Sequence, residues 1–173
     1  MYHRTIPALR PNLKRTDSPS ILRLVPQFWS RGNGWAFAAL YRAIDALPAG
    51  HPYALEFINK FKLMATALLP LQGADGLWRS SLLDADEYPG PESTGTGMYT
   101  AGLAYGVRTG LLPRATYAPA VSLAWQGLST ISQQPNGMVG YCQPVGASPA
   151  PFFANSSKCN LSSVRPRPLS HSP

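Results

Sequence analysis

At 173 residues the chain is long enough to bury a core of its own, so one domain or part of a larger one is expected. Its net charge of +7 and pI near 9.7 suggest nucleic acid, but the excess sits at the two ends. Residues 1–27 carry +4, residues 154–173 carry +3, and residues 28–153 hold seven Lys/Arg against seven Asp/Glu. A folded nucleic-acid binder concentrates charge on one face, so that class is excluded, as is a membrane span, because no run of about 18 apolar residues exists.

The first element, residues 1–27, is a basic arm containing Pro and Ser without sustained periodicity, and it is expected to be poorly ordered. His3, Arg4, Arg10, Asn12, Lys14 and Arg15 interrupt any apolar signal segment there. The compartment therefore stays open between cytoplasm and a shortened form of a secreted protein.

Phe28-Trp29-Ser30-Arg31-Gly32-Asn33-Gly34-Trp35 follows, with two indoles, a guanidinium and two glycines where an apolar helical run begins. Indole faces stack on sugar rings or bases, a guanidinium matches a carboxylate or phosphate, and glycine permits a tight turn or a close backbone approach. The competing reading is a helix start whose aromatics belong to the core. From Gly34 the apolar positions Trp35, Phe37, Ala38, Leu40, Tyr41, Ile44 and Leu47 predict a largely buried helix, stopped by Pro48-Ala49-Gly50.

A second helix over about 53–70 is amphipathic, with Ala54, Phe57, Ile58, Phe61, Met64, Ala65 and Leu68 on one side. Its Glu56 and Lys60 stand at i, i+4 in the favourable order. Gln72 to Trp78 reads as a turn, Leu77 to Leu83 as a short strand or extended loop, and the acidic stretch to residue 93 as a long loop. A third helix starts near Ser93 or Thr94, either of which can cap it, and runs to Thr109-Gly110. It is apolar nearly all round, and Gly95, Gly97, Gly102 and Gly106 allow close packing. The fourth, about 115–132, has Tyr117, Val121, Ala124, Trp125, Leu128 and Ile131 at helical spacing. Cys142 and Cys159 are too few for a disulfide framework, match no metal spacing and read as incidental thiols.

An internal repeat emerges from this order. Leu47-Pro48 recurs as Leu112-Pro113, an offset of 65, and Asp75-Gly76-Leu77-Trp78 as Asn136-Gly137-Met138-Val139, an offset of 61. Each unit is a buried helix, an outer amphipathic helix and a turn with an extended loop. The expected fold class is all-α, made of αα-hairpin repeats. Two units fall below the roughly three that a repeat architecture needs, so the chain reads as part of a larger object.

Four segments in this order carry a resemblance: Phe28 to Trp35, Asp75 to Trp78, Pro91-Glu-Ser-Thr-Gly-Thr-Gly-Met98 with Gly106-Val-Arg-Thr-Gly110, and Pro135-Asn-Gly-Met-Val-Gly-Tyr141. Together they resemble the unsaturated glucuronyl and rhamnogalacturonyl hydrolases of glycoside hydrolase families 88 and 105. The resemblance implies that residues 28–152 are the later part of an (α/α)6 barrel, an incomplete toroid, with 153–173 an irregular basic tail. It also implies a glycosidase acting on oligosaccharides that end in an unsaturated uronic acid, of pectin or rhamnogalacturonan type. In such enzymes an Asp protonates the vinyl ether double bond and directs water onto C5, with no metal and no cofactor.

That Asp belongs to an earlier helix in the family, and Asp17 stands in no comparable motif, so the catalytic residue is left unassigned. Beyond Pro151-Phe152, Pro166 and Pro168 prevent the family's last helix. Both departures suggest a shortened or misjoined gene product, doubtful in activity by itself.

The candidate substrate-binding residues are Trp29, Arg31, Asn33, Trp35, Glu92 and Thr94. Arg31 would pair with the uronate carboxylate or else tie loops together. Trp29 and Trp35 would wall the sugar, or Trp35 would be core. Asn33 would hold a hydroxyl or cap a helix. Glu92, Ser93 and Thr94 would line the cleft or cap the third helix, the latter carrying more weight. Trp78 and the loop 84–92 would border the groove or form a solvated edge. His3, His51 and His171 receive no role. The partner expected is an oligosaccharide, with no nucleic acid, no membrane and an open oligomeric state; a non-catalytic carbohydrate-binding remnant or a helical interaction fragment are the alternatives.

Overall fold

The computed structural model describes residues 28–86 and 88–142. Expectations for the arm 1–27 and the tail 153–173 fall outside the described residues. Helix α1 spans Ser30–Ala46. Helix α2 spans Ala54–Leu68 and tightens into a 3₁₀ turn, Leu69–Leu71. Helix α3 spans Ser93–Arg108, and α4 spans Arg114–Gly127 before loosening into a π turn, Leu128–Ser132. The described residues contain no strand; the stretch after Leu77 is the extended loop, joined to its neighbours by isolated bridges.

The inner helices α1 and α3 pack on each other, with α2 outside α1 and α4 outside α3. Glycine sets how close the inner pair comes. A Cβ built on Gly95 would lie 2.4 Å from the Ser30 Oγ, one on Gly34 would lie 3.1 Å from the Gly95 Cα, and one on Gly102 would meet the Phe37 ring at 2.4 Å. Any side chain at these positions would push the helices apart. The core beneath holds Phe37 stacked on Phe61 with centroids 4.8 Å apart, and Tyr99 edge-on to Trp78 at 5.2 Å. Burying rings of this size contributes roughly 1.5–3 kcal/mol each. Trp78 is fully buried, and its indole N–H donates to the Leu68 carbonyl at 2.9 Å.

The two units repeat in hydrogen-bond detail. In the first turn Gly76 takes φ +84°, its N–H donates to the Gly73 carbonyl, and the Leu77 N–H donates to the Asp75 side chain at 3.1 Å. In the second, Gly137 takes φ +80°, its N–H donates to the Gln134 carbonyl, and the Met138 N–H donates to the Asn136 side chain at 3.1 Å. Each loop then returns to its own inner helix: the Ser30 N–H donates to the Ser80 carbonyl, and the Ser93 N–H to the Tyr141 carbonyl, both at 2.9 Å.

Several expectations are corrected. Helix α1 begins at Ser30, four residues before Gly34, so Gly32 and Gly34 are helical and neither makes a left-handed turn. It is buried only at Ser30, Gly34, Phe37 and Ala38, because α2 and α3 cover one flank and its outer flank carries nothing among the described residues. Trp125 is 67% exposed on α4, where helical spacing had grouped it with the core. Pro119 lies inside α4 and removes one helical hydrogen bond. The Glu56–Lys60 ion pair forms as its spacing implies, with both side chains more than half exposed.

Two predictions follow from this packing. A Cβ on Gly76 would lie 2.1 Å from the Leu123 carbonyl oxygen, whereas one on Gly137 meets nothing within 4 Å. Gly76→Ala should therefore cost about 3 kcal/mol or more, and Gly137→Ala only the backbone strain of about 1–2 kcal/mol; equal losses in urea unfolding would contradict the repeat packing.

Tyr99 provides the second. Burial pushes its phenol well above the usual tyrosine range, and the Glu92 charge adds to this; its hydroxyl donates to the Ser30 carbonyl at 2.6 Å, a bond that only the protonated phenol can make. A group held protonated in the folded state stabilises the fold below the ordinary tyrosine value of about 10, and that contribution is lost as pH rises above it. Tyr99→Phe should cost about 1 kcal/mol at neutral pH and flatten the loss of stability above about pH 10. An unchanged alkaline slope would contradict the assignment.

Candidate functional site

The extended strip after Leu77 builds the site by pairing with both inner helix starts. On one side the Leu82 N–H donates to the Phe28 carbonyl at 2.8 Å, the Ser30 N–H donates to Ser80, and Trp29 bridges Ser81. On the other the Glu92 N–H donates to the Trp78 carbonyl at 3.0 Å, and Arg79 bridges Pro91. The N-termini of α1 and α3 therefore lie side by side with their positive dipole ends at one mouth. The acidic loop is drawn to the same place, since the Ser81 hydroxyl donates to the Asp84 carboxylate at 3.2 Å.

On α1, the half-buried Arg31 places its guanidinium 5.8 Å from the Trp29 ring centroid, within cation–π range. Trp35 follows one helical turn after Arg31 and is 62% exposed, so it is not core among the described residues. The Asn33 amide donates back to the Trp29 carbonyl at 2.8 Å. Asn33 lies within the first turn and does not occupy the N-cap, which is Trp29 without a side-chain cap bond.

On α3, Glu92 takes the capping role. It is fully buried, and its carboxylate accepts from the Thr94 N–H at 2.9 Å and the Gly95 N–H at 2.6 Å. Thr94 is half-buried and contributes its backbone amide to this cap. Ser93 does not cap, because its hydroxyl donates to the Gly140 carbonyl and shares a hydrogen bond with the Ser132 hydroxyl, each at 2.7 Å. A carboxylate in this position satisfies two orphan amides at once and complements the helix dipole. Trp78 lies in the core beneath the mouth and does not border a groove.

Sequence reasoning passed over the polar face of α3. Thr96 accepts the Trp78 N–H at 3.0 Å and donates to the Glu92 carbonyl at 2.6 Å, which locks the strip to the helix start. The signal was present: Ser93, Thr96 and Thr100 stand at spacings of three and four in an otherwise apolar helix, and all three are buried. Among the described residues no three His, Cys, Asp or Glu side chains are grouped as a metal would require. A groove of about 460 Å³ between α3 and α4 and a depression of about 540 Å³ beside the π turn contain none of the six candidate residues.

With this geometry in place, comparison with known proteins gives a consistent result. The sequence profile of Glycosyl Hydrolase Family 88 matches residues 15–160. An unsaturated 3S-rhamnoglycuronyl hydrolase of Formosa agariphila is 46% identical over 129 residues, covering 75% of this chain and 34% of that protein. Among solved structures, a glycosyl hydrolase family 88 protein from Bacteroides vulgatus is 42% identical with a TM-score of 0.72, covering 75% of this chain and 38% of that one. A family 105 glycoside hydrolase of C. acetobutylicum is 29% identical with a TM-score of 0.61, covering 71% and 36%. The chain spans about a third of the length of the curated relatives it matches. It belongs to Glycosyl Hydrolase Family 88, and its two αα-hairpins are part of that family's α/α barrel.

Proposed function

We propose that residues 28–152 supply the uronate-gripping wall of a glycosidase that removes a terminal unsaturated uronic acid from an oligosaccharide. The observation that carries this reading is the Arg31 guanidinium held against the Trp29 indole at the start of α1, with Trp35 exposed one turn further along. An unsaturated uronic acid offers a planar carboxylate on a flattened ring. Arg31 would take the carboxylate in a bidentate pair, strengthened by the two helix N-termini behind it. Trp29 and Trp35 would stack on sugar rings, and Asn33 and Thr94 would face ring hydroxyls at the same mouth. Glu92 acts from beneath, fixing the start of α3.

The names of the relatives support the substrate class, an unsaturated rhamnoglycuronyl unit. Proton transfer to the double bond needs an acid, and two of the described aspartates, Asp75 and Asp84, already have local work. Asp75 pairs with Arg79 and holds its turn, and Asp84 accepts from Ser81. In the proposed reading this chain contributes recognition, and the protonating Asp belongs to another part of the barrel.

Calorimetric titration of the full chain with an unsaturated rhamnogalacturonan disaccharide tests this. Binding is expected, with Arg31→Ala weakening it by roughly 10- to 100-fold while leaving the far-ultraviolet circular dichroism unchanged. Absence of heat at millimolar ligand, or full affinity in the variant, would contradict it. Loss of the ligand's double-bond absorbance on incubation would show turnover and would contradict the placement of the acid elsewhere.

A further inference from the structure

The end of the second repeat differs from the end of the first in one concentrated region. Backbone bonds fix the register between them: the Gly73 N–H donates to the Leu77 carbonyl, and the Gln134 N–H to the Met138 carbonyl. In that register Leu68 and Leu69 are replaced by Ser129 and Thr130, Gly73 by Gln134, and Ser80 by Tyr141. Apolar and small residues give way to two hydroxyls, an amide and a phenol.

Two backbone irregularities fall in the same region. Helix α4 runs into the π turn Leu128–Ser132, whereas α2 runs into the tighter 3₁₀ turn, and π turns occur frequently at functional sites. Tyr141 is the one non-glycine with positive φ among the described residues, at +56°. A bulky residue in that conformation costs backbone energy that glycine would avoid, and such strain persists only where its surroundings enforce it. Here they do: the Tyr141 carbonyl accepts the Ser93 N–H, and the Gly140 carbonyl accepts the Ser93 hydroxyl.

These side chains line the depression of about 540 Å³ beside the π turn. Tyr141 supplies an aromatic face, and Ile131 and Pro135 supply apolar wall. The Ser129 and Thr130 hydroxyls both donate to the Gln126 carbonyl, at 3.0 and 2.8 Å, and the Gln134 amide nitrogen donates to the Ile131 and Ser132 carbonyls. With those donors engaged, the three side chains offer oxygen lone pairs to a ligand. The exposed Gln133 adds an amide that can donate or accept. None of the described lining residues is charged, so nothing there would neutralise an anion. Acceptors grouped around an aromatic face suit a neutral ligand that is rich in hydroxyls and has an apolar side.

We propose that this depression is a second sugar-binding site, in which a neutral sugar unit lies on the Tyr141 ring and donates hydroxyl protons to Ser129, Thr130 and Gln134. Gln133 closes over it with its amide. The site is separate from the mouth at Arg31, whose guanidinium suits a charged unit, and it stands on its own residues whether or not Arg31 binds a uronate.

The test is a saturation-transfer NMR titration of the full 173-residue chain with methyl α-rhamnoside, a neutral sugar with an apolar methyl group. Binding is expected on the order of millimolar, as for a single small sugar. Tyr141→Gly should weaken it roughly 3- to 10-fold while keeping the melting temperature within about 4 °C of the parent, because glycine relieves the positive φ. Gln133→Ala, at an exposed position, should weaken it by a similar factor without lowering the melt. Arg31→Ala should leave the affinity unchanged.

Absence of saturation transfer at tens of millimolar would overturn the proposal, as would full affinity in both Tyr141→Gly and Gln133→Ala. Loss of binding in Arg31→Ala would move the sugar to the mouth and overturn the separate site. Equal affinity for methyl glucuronide would overturn its preference for a neutral unit. None of these results depends on whether the unsaturated disaccharide binds at Arg31.

Discussion

The contact on which the structure depends is the close approach of α1 and α3 at their N-termini, where Gly95 leaves no room for a side chain between Ser30 and Glu92. Glycine in a helix interior costs roughly 0.5–1 kcal/mol relative to alanine, and α3 carries four glycines between Gly95 and Gly106. The helix-forming cost is offset by what the closeness permits. The Tyr99 hydroxyl reaches the Ser30 carbonyl, the extended strip pairs with both helix starts, and the aromatic core closes beneath.

The proposed function rests on that geometry. Two helix N-termini at one mouth make a region suited to a carboxylate, and α1 places an arginine and two tryptophans there on a support held by the Glu92 cap and the backbone bonds of the extended strip. The buried Glu92 illustrates the division of labour. Its charge is spent on α3 amides, so it stiffens the mouth, and in the proposed reading contact with the ligand falls to Arg31, Trp29 and Trp35.

Much of this was legible in the chain. Hydrophobic spacing marks four helices, and the paired Asp75-Gly76 and Asn136-Gly137 turns mark the repeat in the sequence itself, since each turn needs a short polar side chain followed by a positive-φ residue. Local rules failed where tertiary contacts outvoted them. Ser93 and Thr94 are better intrinsic caps than glutamate, but Ser93 is drawn to Ser132 and Gly140, and Glu92 reaches two amides. Trp78 looked like a groove wall because its loop is polar, yet its indole finds a buried carbonyl at Leu68. Trp35 and Trp125 have the spacing of core residues, but they lie on helix flanks that two hairpins do not cover.

The most direct test compares two glycines two residues apart on α3. Gly95 faces α1, and Gly97 faces open space. If the inner-helix contact governs the fold, Gly95→Ala in the full chain lowers unfolding free energy by about 2–4 kcal/mol, and Gly97→Ala leaves it unchanged or raises it by about 0.5–1 kcal/mol through helix propensity. Urea unfolding that finds Gly95→Ala at least as stable as Gly97→Ala would contradict the account.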